Sequence, residues 1–97
     1  MPKYFVTAEF DVSFDDEKCR SRKEEITGEI KDDVQKAIED VVQKVETRLR
    51  RLNLWGKRYI FFRIEGASFA KCREIFYQLG WVEKMFKRDG SGSWWQK

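Results

Sequence analysis

The stretch that decides the fold runs from Ser21 to Asn53 and reads SRKEEITGEIKDDVQKAIEDVVQKVETRLRRLN. Its apolar residues recur at steps of three or four, which places them on one stripe of a helical surface. These residues are Ile26, Ile30, Val34, Ile38, Val41, Val45, Leu49 and Leu52. The sequence therefore predicts one long amphipathic helix over the whole stretch.

Both ends of this stretch carry residues that are typical of helix termini. Ser21 and Glu24 fit the S-x-x-E capping box at the start. Three arginines fall in the last turn, where positive charge interacts favourably with the helix dipole. Asn53 can end the helix because asparagine tolerates a left-handed backbone.

The length of this predicted helix raises the question of self-association. At about 1.5 Å per residue it would span roughly 46 Å, whereas a domain of this size is roughly 30 Å across. A straight helix would overhang its own sheet and offer its apolar stripe to a second copy, which predicts a homodimer through the long helix. Alternatively, Gly28 marks a bend or a later start, since glycine costs about 1 kcal/mol relative to alanine in a helix.

The composition excludes several kinds of catalytic and metal site. The chain has 97 residues, which is enough for one domain over 1–97 with a single core. It contains no histidine, which excludes Ser-His-Asp and Cys-His catalysis and every histidine-ligated metal site. Cys19 and Cys72 are isolated in sequence and cannot form a structural zinc site. We therefore expect a protein that is not an enzyme and uses no cofactor and no metal.

The sequence shows no signal for a membrane or for export. No apolar run approaches the ~20 residues that span a bilayer, and the chain does not open with a signal peptide. Two isolated cysteines are typical of reduced thiols. These features predict a cytoplasmic protein without a membrane partner.

The remaining segments complete a predicted β-α-β-α-β-β order. Strict alternation from Tyr4 to Phe14 predicts a strand with one buried face and one open face. The later elements are a strand over Arg58–Glu65, a helix over Ser68–Leu79, a strand over Trp81–Arg88 and a strand over Ser93–Gln96. Each helix carries the chain back along the sheet, so the first three strands are expected to be parallel and the last to be an antiparallel edge strand. The predicted fold class is α+β, a two-layer sandwich with a mixed sheet and both helices on one face.

The C-terminal part of the chain combines positive charge with aromatic residues. Residues 54–97 hold nine Lys and Arg against four Asp and Glu, and eleven of the fifteen aromatic residues. Such a combination favours a nucleic-acid partner, because bases stack on exposed rings while cations hold the phosphates. By alternation, the open sheet face is expected to display Phe5, Tyr59, Phe61, Trp81 and Met85, joined by Trp94 or Trp95.

These features lead to a predicted module that binds single-stranded DNA or RNA with little sequence specificity. The residues expected to contact phosphates are Arg58, Arg63, Lys84, Lys87 and Arg88. The residues expected to stack on bases are Tyr59, Phe61, Trp81, Trp94 and Trp95. The alternative is a protein-interaction module, for example a small viral or accessory protein that docks through the long helix and the aromatic face.

Two further segments carry residue types that can form binding sites. The glycine-rich hairpin over Asp89–Ser93 could follow a phosphate backbone, but it lacks the G-K-[ST] ending of a P-loop. Five carboxylates between Glu9 and Glu17 could hold Mg²⁺, but they lack the nearby lysine and second-strand carboxylate of nucleases. A solvated acidic loop is the interpretation that the sequence favours there.

Overall fold

The computed structural model of the chain describes residues 3–15, 20–52, 59–87 and 90–96. In these ranges the chain forms one five-stranded sheet and two helices. The elements are β1 (Phe5–Asp15), β2 (Arg20–Thr27), α1 (Val34–Arg51), β3 (Tyr59–Glu65), α2 (Phe69–Gln78), β4 (Trp81–Phe86) and β5 (Gly92–Gln96). The predicted α+β class is thus confirmed.

The first seven residues of the predicted long helix form a strand instead. Arg20–Thr27 forms β2 and pairs antiparallel with β1, from Thr7 opposite Thr27 to Asp15 opposite Arg20. The prediction of a helix from Ser21 is therefore wrong. Only Ile26 of this segment is a large apolar residue, and it packs against the core from the strand just as well as from a helix. Pairing with the preceding strand β1 outweighs the local helical preference of the Lys, Arg and Glu residues in this segment.

The helix α1 begins at Val34, after a tight connection from β2. A Cβ on Gly28 would lie 2.5 Å from Val41 Cγ2, so the chain passes too close to α1 for any side chain there. The N-cap is Asp33, whose Oδ1 accepts hydrogen bonds from the backbone N–H groups of Gln35 at 2.8 Å and Lys36 at 3.3 Å. The alternative prediction of a later helix start near Gly28 is therefore confirmed, and α1 begins six residues after Gly28, at Val34.

The revised helix removes the reason for a helix overhang. Its 18 residues span about 27 Å, which is within the roughly 30 Å expected for a domain of this size. Its apolar stripe from Val34 to Leu49 is buried against that sheet, whereas Ile30 lies outside the helix and is 63% exposed. The homodimer through the long helix stays a prediction, without the support of an overhang. In the described part of the chain, neither helix has the length and apolarity needed to cross a bilayer.

The sheet is antiparallel and its strand order is β2-β1-β3-β5-β4. The predicted order of elements lacked β2. The prediction that the first three strands are parallel is wrong for β1 and β3, which are antiparallel, whereas β3 and β4 run in the same direction but are separated by β5. An additional strand before α1 reverses the direction of the chain, so the crossover through α1 brings β3 back antiparallel to β1. The C-terminal hairpin of β4 and β5 is confirmed, but β5 lies between β3 and β4, and β4 is the edge strand.

The second helix agrees with its prediction. The hydroxyl of Ser68 caps α2 by accepting from the backbone N–H of Lys71 at 3.4 Å. Gly80 follows the helix with a φ of 89°, a left-handed conformation that favours glycine. Two helix residues, Ile75 and Phe76, are buried in the core.

The core lies between one face of the sheet and the two helices. The strand residues on this face are buried, as their alternation predicted; they are Val6, Ala8, Phe10, Val12, Ile60, Phe62 and Ile64. The ring of Phe62 lies 4.8 Å from the ring of Phe76 on α2. The opposite face of the sheet carries neither helix, and we call it the open face.

Candidate nucleic-acid interface

The strand register decides which side chains share the open face. Residues directly opposite each other in an antiparallel pair point to the same side of the sheet. Glu9 is opposite both Glu25 on β2 and Phe61 on β3, and Phe61 is opposite Ser93 on β5. The open face carries the described side chains of Phe5, Thr7, Glu9, Asp11, Lys23, Glu25, Thr27, Phe61, Arg63, Glu65, Val82, Met85 and Ser93.

Phe61 stands near the middle of this face, between two shallow depressions. The first has a volume of 380 Å³ and is lined by Glu9, Phe10, Asp11, Lys23, Phe61 and Ser93. The second has a volume of 400 Å³ and is lined by Phe61, Met85, Phe86, Lys87, Gly92 and Ser93. The half-buried ring of Phe61 thus forms a ridge that a flat ligand could contact from either side.

A cation lies over the ring of Phe61. The Nζ atom of Lys87 is 5.8 Å from the ring centroid, which is within the range of a cation–π interaction. Arg63 is exposed two residues further along β3, on the same face. Stacking surface and positive charge are therefore adjacent on this part of the sheet.

Charge is divided across the open face. The β1–β2 side carries Glu9, Asp11 and Glu25, and Lys23 is its described cation. Lys23 Nζ lies 3.7 Å from Glu9 Oε2, a loose ion pair at the surface. On the other side, Lys84 and Lys87 flank Met85 at the β4 edge. A polyanion would therefore be attracted to the β3–β5–β4 side and repelled from the β1–β2 side.

Two of the tryptophans predicted to stack on bases are in the core instead. Trp81 is 1% exposed, meets Phe62 edge-on at 5.6 Å and donates its indole N–H to Glu46 Oε1 at 3.3 Å. Trp94 is fully buried and stacks on Phe76, with the ring centroids 4.2 Å apart. The prediction that Trp81 lies on the open face is wrong, and neither indole is accessible to a base.

A β-bulge explains why Trp81 and Met85 lie on different faces. The pairing of β4 with β5 shifts register between Glu83 and Met85, which leaves Lys84 as an extra residue. Before the shift, the odd-numbered residues face the helices, and Glu83 forms an ion pair with Arg73 of α2 at 3.0 Å. After it, Met85 faces the open side and is 65% exposed.

The structure brings together four of the ten predicted contact residues at or beside the open face. These are Phe61, Arg63, Lys84 and Lys87. Arg58 and Arg88, and the side chains of Tyr59 and Trp95, lie outside the described residues. The sequence interpretation missed Lys23, because it placed that residue in a helix, and did not place Glu9 next to Phe61. Only the pairing of β1 with β2 and β3 reveals these neighbours.

Metal-ligand groups and similarity to known proteins are two further sources of information about a site. Among the described residues, no group of three or more metal-ligating side chains lies close enough to hold an ion. Asp16 and Glu17 of the acidic segment lie outside those residues. No known protein family, curated protein sequence or solved structure matches the chain.

Proposed function

We propose that the protein binds single-stranded nucleic acid on the β3–β5–β4 side of its open face, with little overall sequence specificity. The observation that carries this proposal is the position of Lys87 over the ring of Phe61. Sites for single strands combine rings that stack on bases with nearby positive charge that holds the phosphates, and Phe61 and Lys87 form such a pair. The proposed contacts are Phe61 for stacking and Arg63, Lys84 and Lys87 for phosphates.

The division of charge supports a path along this side of the face. Phosphates avoid the carboxylates of Glu9 and Glu25, so the strand would run near the β4 edge, where Lys84 and Lys87 are exposed. Met85 lies between them and offers an apolar contact to a base or sugar. Stacking is tolerant of sequence because every base has a flat π surface.

A protein partner is the second candidate, and one observation favours it. Met85 is exposed beside Phe61, and methionine and aromatic residues are enriched at protein interfaces. The described apolar stripe of α1 is buried, so such a partner would dock on the open face and not on the helix.

The experiment is a binding titration with labelled oligouridine and oligothymidine of about ten nucleotides at several salt concentrations. Phe61→Ala is expected to weaken binding by about 1–3 kcal/mol with the salt slope unchanged, because one stacked base is lost. Phe5→Ala is the matched control, since this ring lies on the same face, at the far end of β1. Unchanged affinity in folded Phe61→Ala protein would contradict the proposal.

A second pair of variants tests the charge contribution. Lys87→Ala is expected to lower the slope of log K against log salt by about one, because one phosphate contact is lost. Lys36→Ala removes the same charge from the exposed side of α1 and should leave the slope unchanged. A slope near zero for the parent protein would favour the protein partner instead.

A further inference from the structure

The carboxylate of Glu9 stands beside the ring that is proposed to stack. Glu9 and Phe61 are direct partners in the β1–β3 ladder, a position in which their Cβ atoms are about 4.5–5.5 Å apart. Both line the 380 Å³ depression, together with Ser93. A flat ligand on Phe61 would therefore present one edge to this carboxylate.

Glu9 is held in place and keeps capacity to accept hydrogen bonds. Its side chain is 20% exposed, and the strand backbone fixes its position. The Nζ of Lys23 is 3.7 Å from Oε2, which is beyond hydrogen-bonding distance, and the lysine side chain is 66% exposed. A carboxylate has two oxygens with about four acceptor sites and no donor. It therefore selects a ligand edge that presents donors.

We propose that the protein recognises guanine at one position of the bound strand; this inference rests on the proposed function above. The base stacks on Phe61 and donates its N1–H and N2–H groups to the two carboxylate oxygens of Glu9, while Lys87 holds a phosphate on the other side of the ring. Guanine has two adjacent donors on its Watson–Crick edge. Uracil and thymine place a carbonyl on each side of a single N–H, so their oxygens would face the carboxylate. Cytosine and adenine offer one donor.

The test compares oligouridine of about ten nucleotides with the same strand carrying one central guanosine or one central inosine. The parent protein is expected to bind the guanosine strand about tenfold more tightly than oligouridine, as for a good bidentate contact. Inosine lacks the N2 amine, and its strand should lose most of that preference. This comparison needs no variant and so does not depend on the folding of one.

Two variants with the same change in charge assign the preference to Glu9. Glu9→Gln should reduce the guanosine preference to within about twofold, because the amide has one acceptor oxygen and its NH2 group would face the second guanine donor. Glu65→Gln lies on the same face beyond Arg63 and should keep the full preference. Circular dichroism confirms that both variants are folded.

The outcomes separate this inference from the function on which it rests. If both strands bind the parent equally, or if folded Glu9→Gln protein keeps the preference, the guanine site is refuted and the stacking face remains. If neither strand binds, the proposed function falls, and the guanine site with it.

Discussion

The start of α1 at Val34 can be tested through its N-cap. Asp33 Oδ1 accepts from two backbone N–H groups of the first turn, those of Gln35 and Lys36. Asp33→Ala would leave both donors to the solvent. Replacing an N-cap aspartate by alanine costs about 0.5–2 kcal/mol, and the lost charge near the helix N-terminus adds about 0.3–1 kcal/mol. We expect a loss of about 1–3 kcal/mol in the free energy of unfolding.

The matched control is the neighbouring acid. Asp32→Ala removes the same charge one residue earlier from an exposed side chain, so it should cost only the electrostatic part, a few tenths of a kcal/mol. Asp33→Asn keeps an effective cap and should restore stability to within about 0.5 kcal/mol of the parent. The three variants thus separate the loss of the cap from the loss of charge.

The assay is urea unfolding followed by circular dichroism at the helical band, with thermal melting as a second measurement. A loss of about 1 kcal/mol lowers Tm by about 4–8 °C in a domain of this size. Equal stability of Asp33→Ala and Asp32→Ala would refute the assignment of Asp33 as the cap. A large loss of unfolding free energy in Ser21→Ala would instead support a helix that begins at Ser21.

Two further variants test the packing of α1 and the β4–β5 pairing. Val41→Asp should unfold the protein, because it places a charge at a fully buried position and removes about 1.5–3 kcal/mol of apolar burial. The control Gln43→Asp, on the exposed side of α1, should keep the native circular dichroism spectrum. A folded Val41→Asp protein would contradict the described packing of α1. Gly92→Ala should lower the free energy of unfolding in urea by about 1–3 kcal/mol or more. The added Cβ would overlap the carbonyl oxygen of Met85 and lie 2.7 Å from Phe86 Cα. If Gly92→Ala costs no more than Ser93→Ala, the close approach of β4 and β5 is refuted.

The candidate site was predictable only in part, and β4 shows why. Alternation placed Met85 and Trp81 on one face, but the bulge at Lys84 reverses the phase between them. A bulge depends on how the partner strand fits, and here Gly92 permits the close approach of β5. Nothing in the local pattern of residues 81–86 marks the extra residue. The burial of Trp81 therefore became visible only when the strands were paired.

The features that the sequence determined by itself are those that depend on nearby residues. Alternation in β1 and β3 identified their buried faces, and the spacing of apolar residues identified the stripes of α1 and α2. Ser68 and Gly80 marked the ends of α2 correctly. Such patterns are local because the face of a helix or strand that packs on the core must be apolar along that element's own length.

Three features were decided by the tertiary structure alone. They are the strand conformation of residues 20–27, the direction of the strands and the neighbours of Phe61. The Lys, Arg and Glu residues before Gly28 favour a helix locally, but pairing with β1 satisfies the backbone hydrogen bonds of this segment as a strand. Once β2 is formed, α1 brings β3 back antiparallel to β1 and places Phe61 opposite Glu9. The pairing of β1 with β3 joins residues far apart in the chain, and its free energy depends on the packed sheet as a whole.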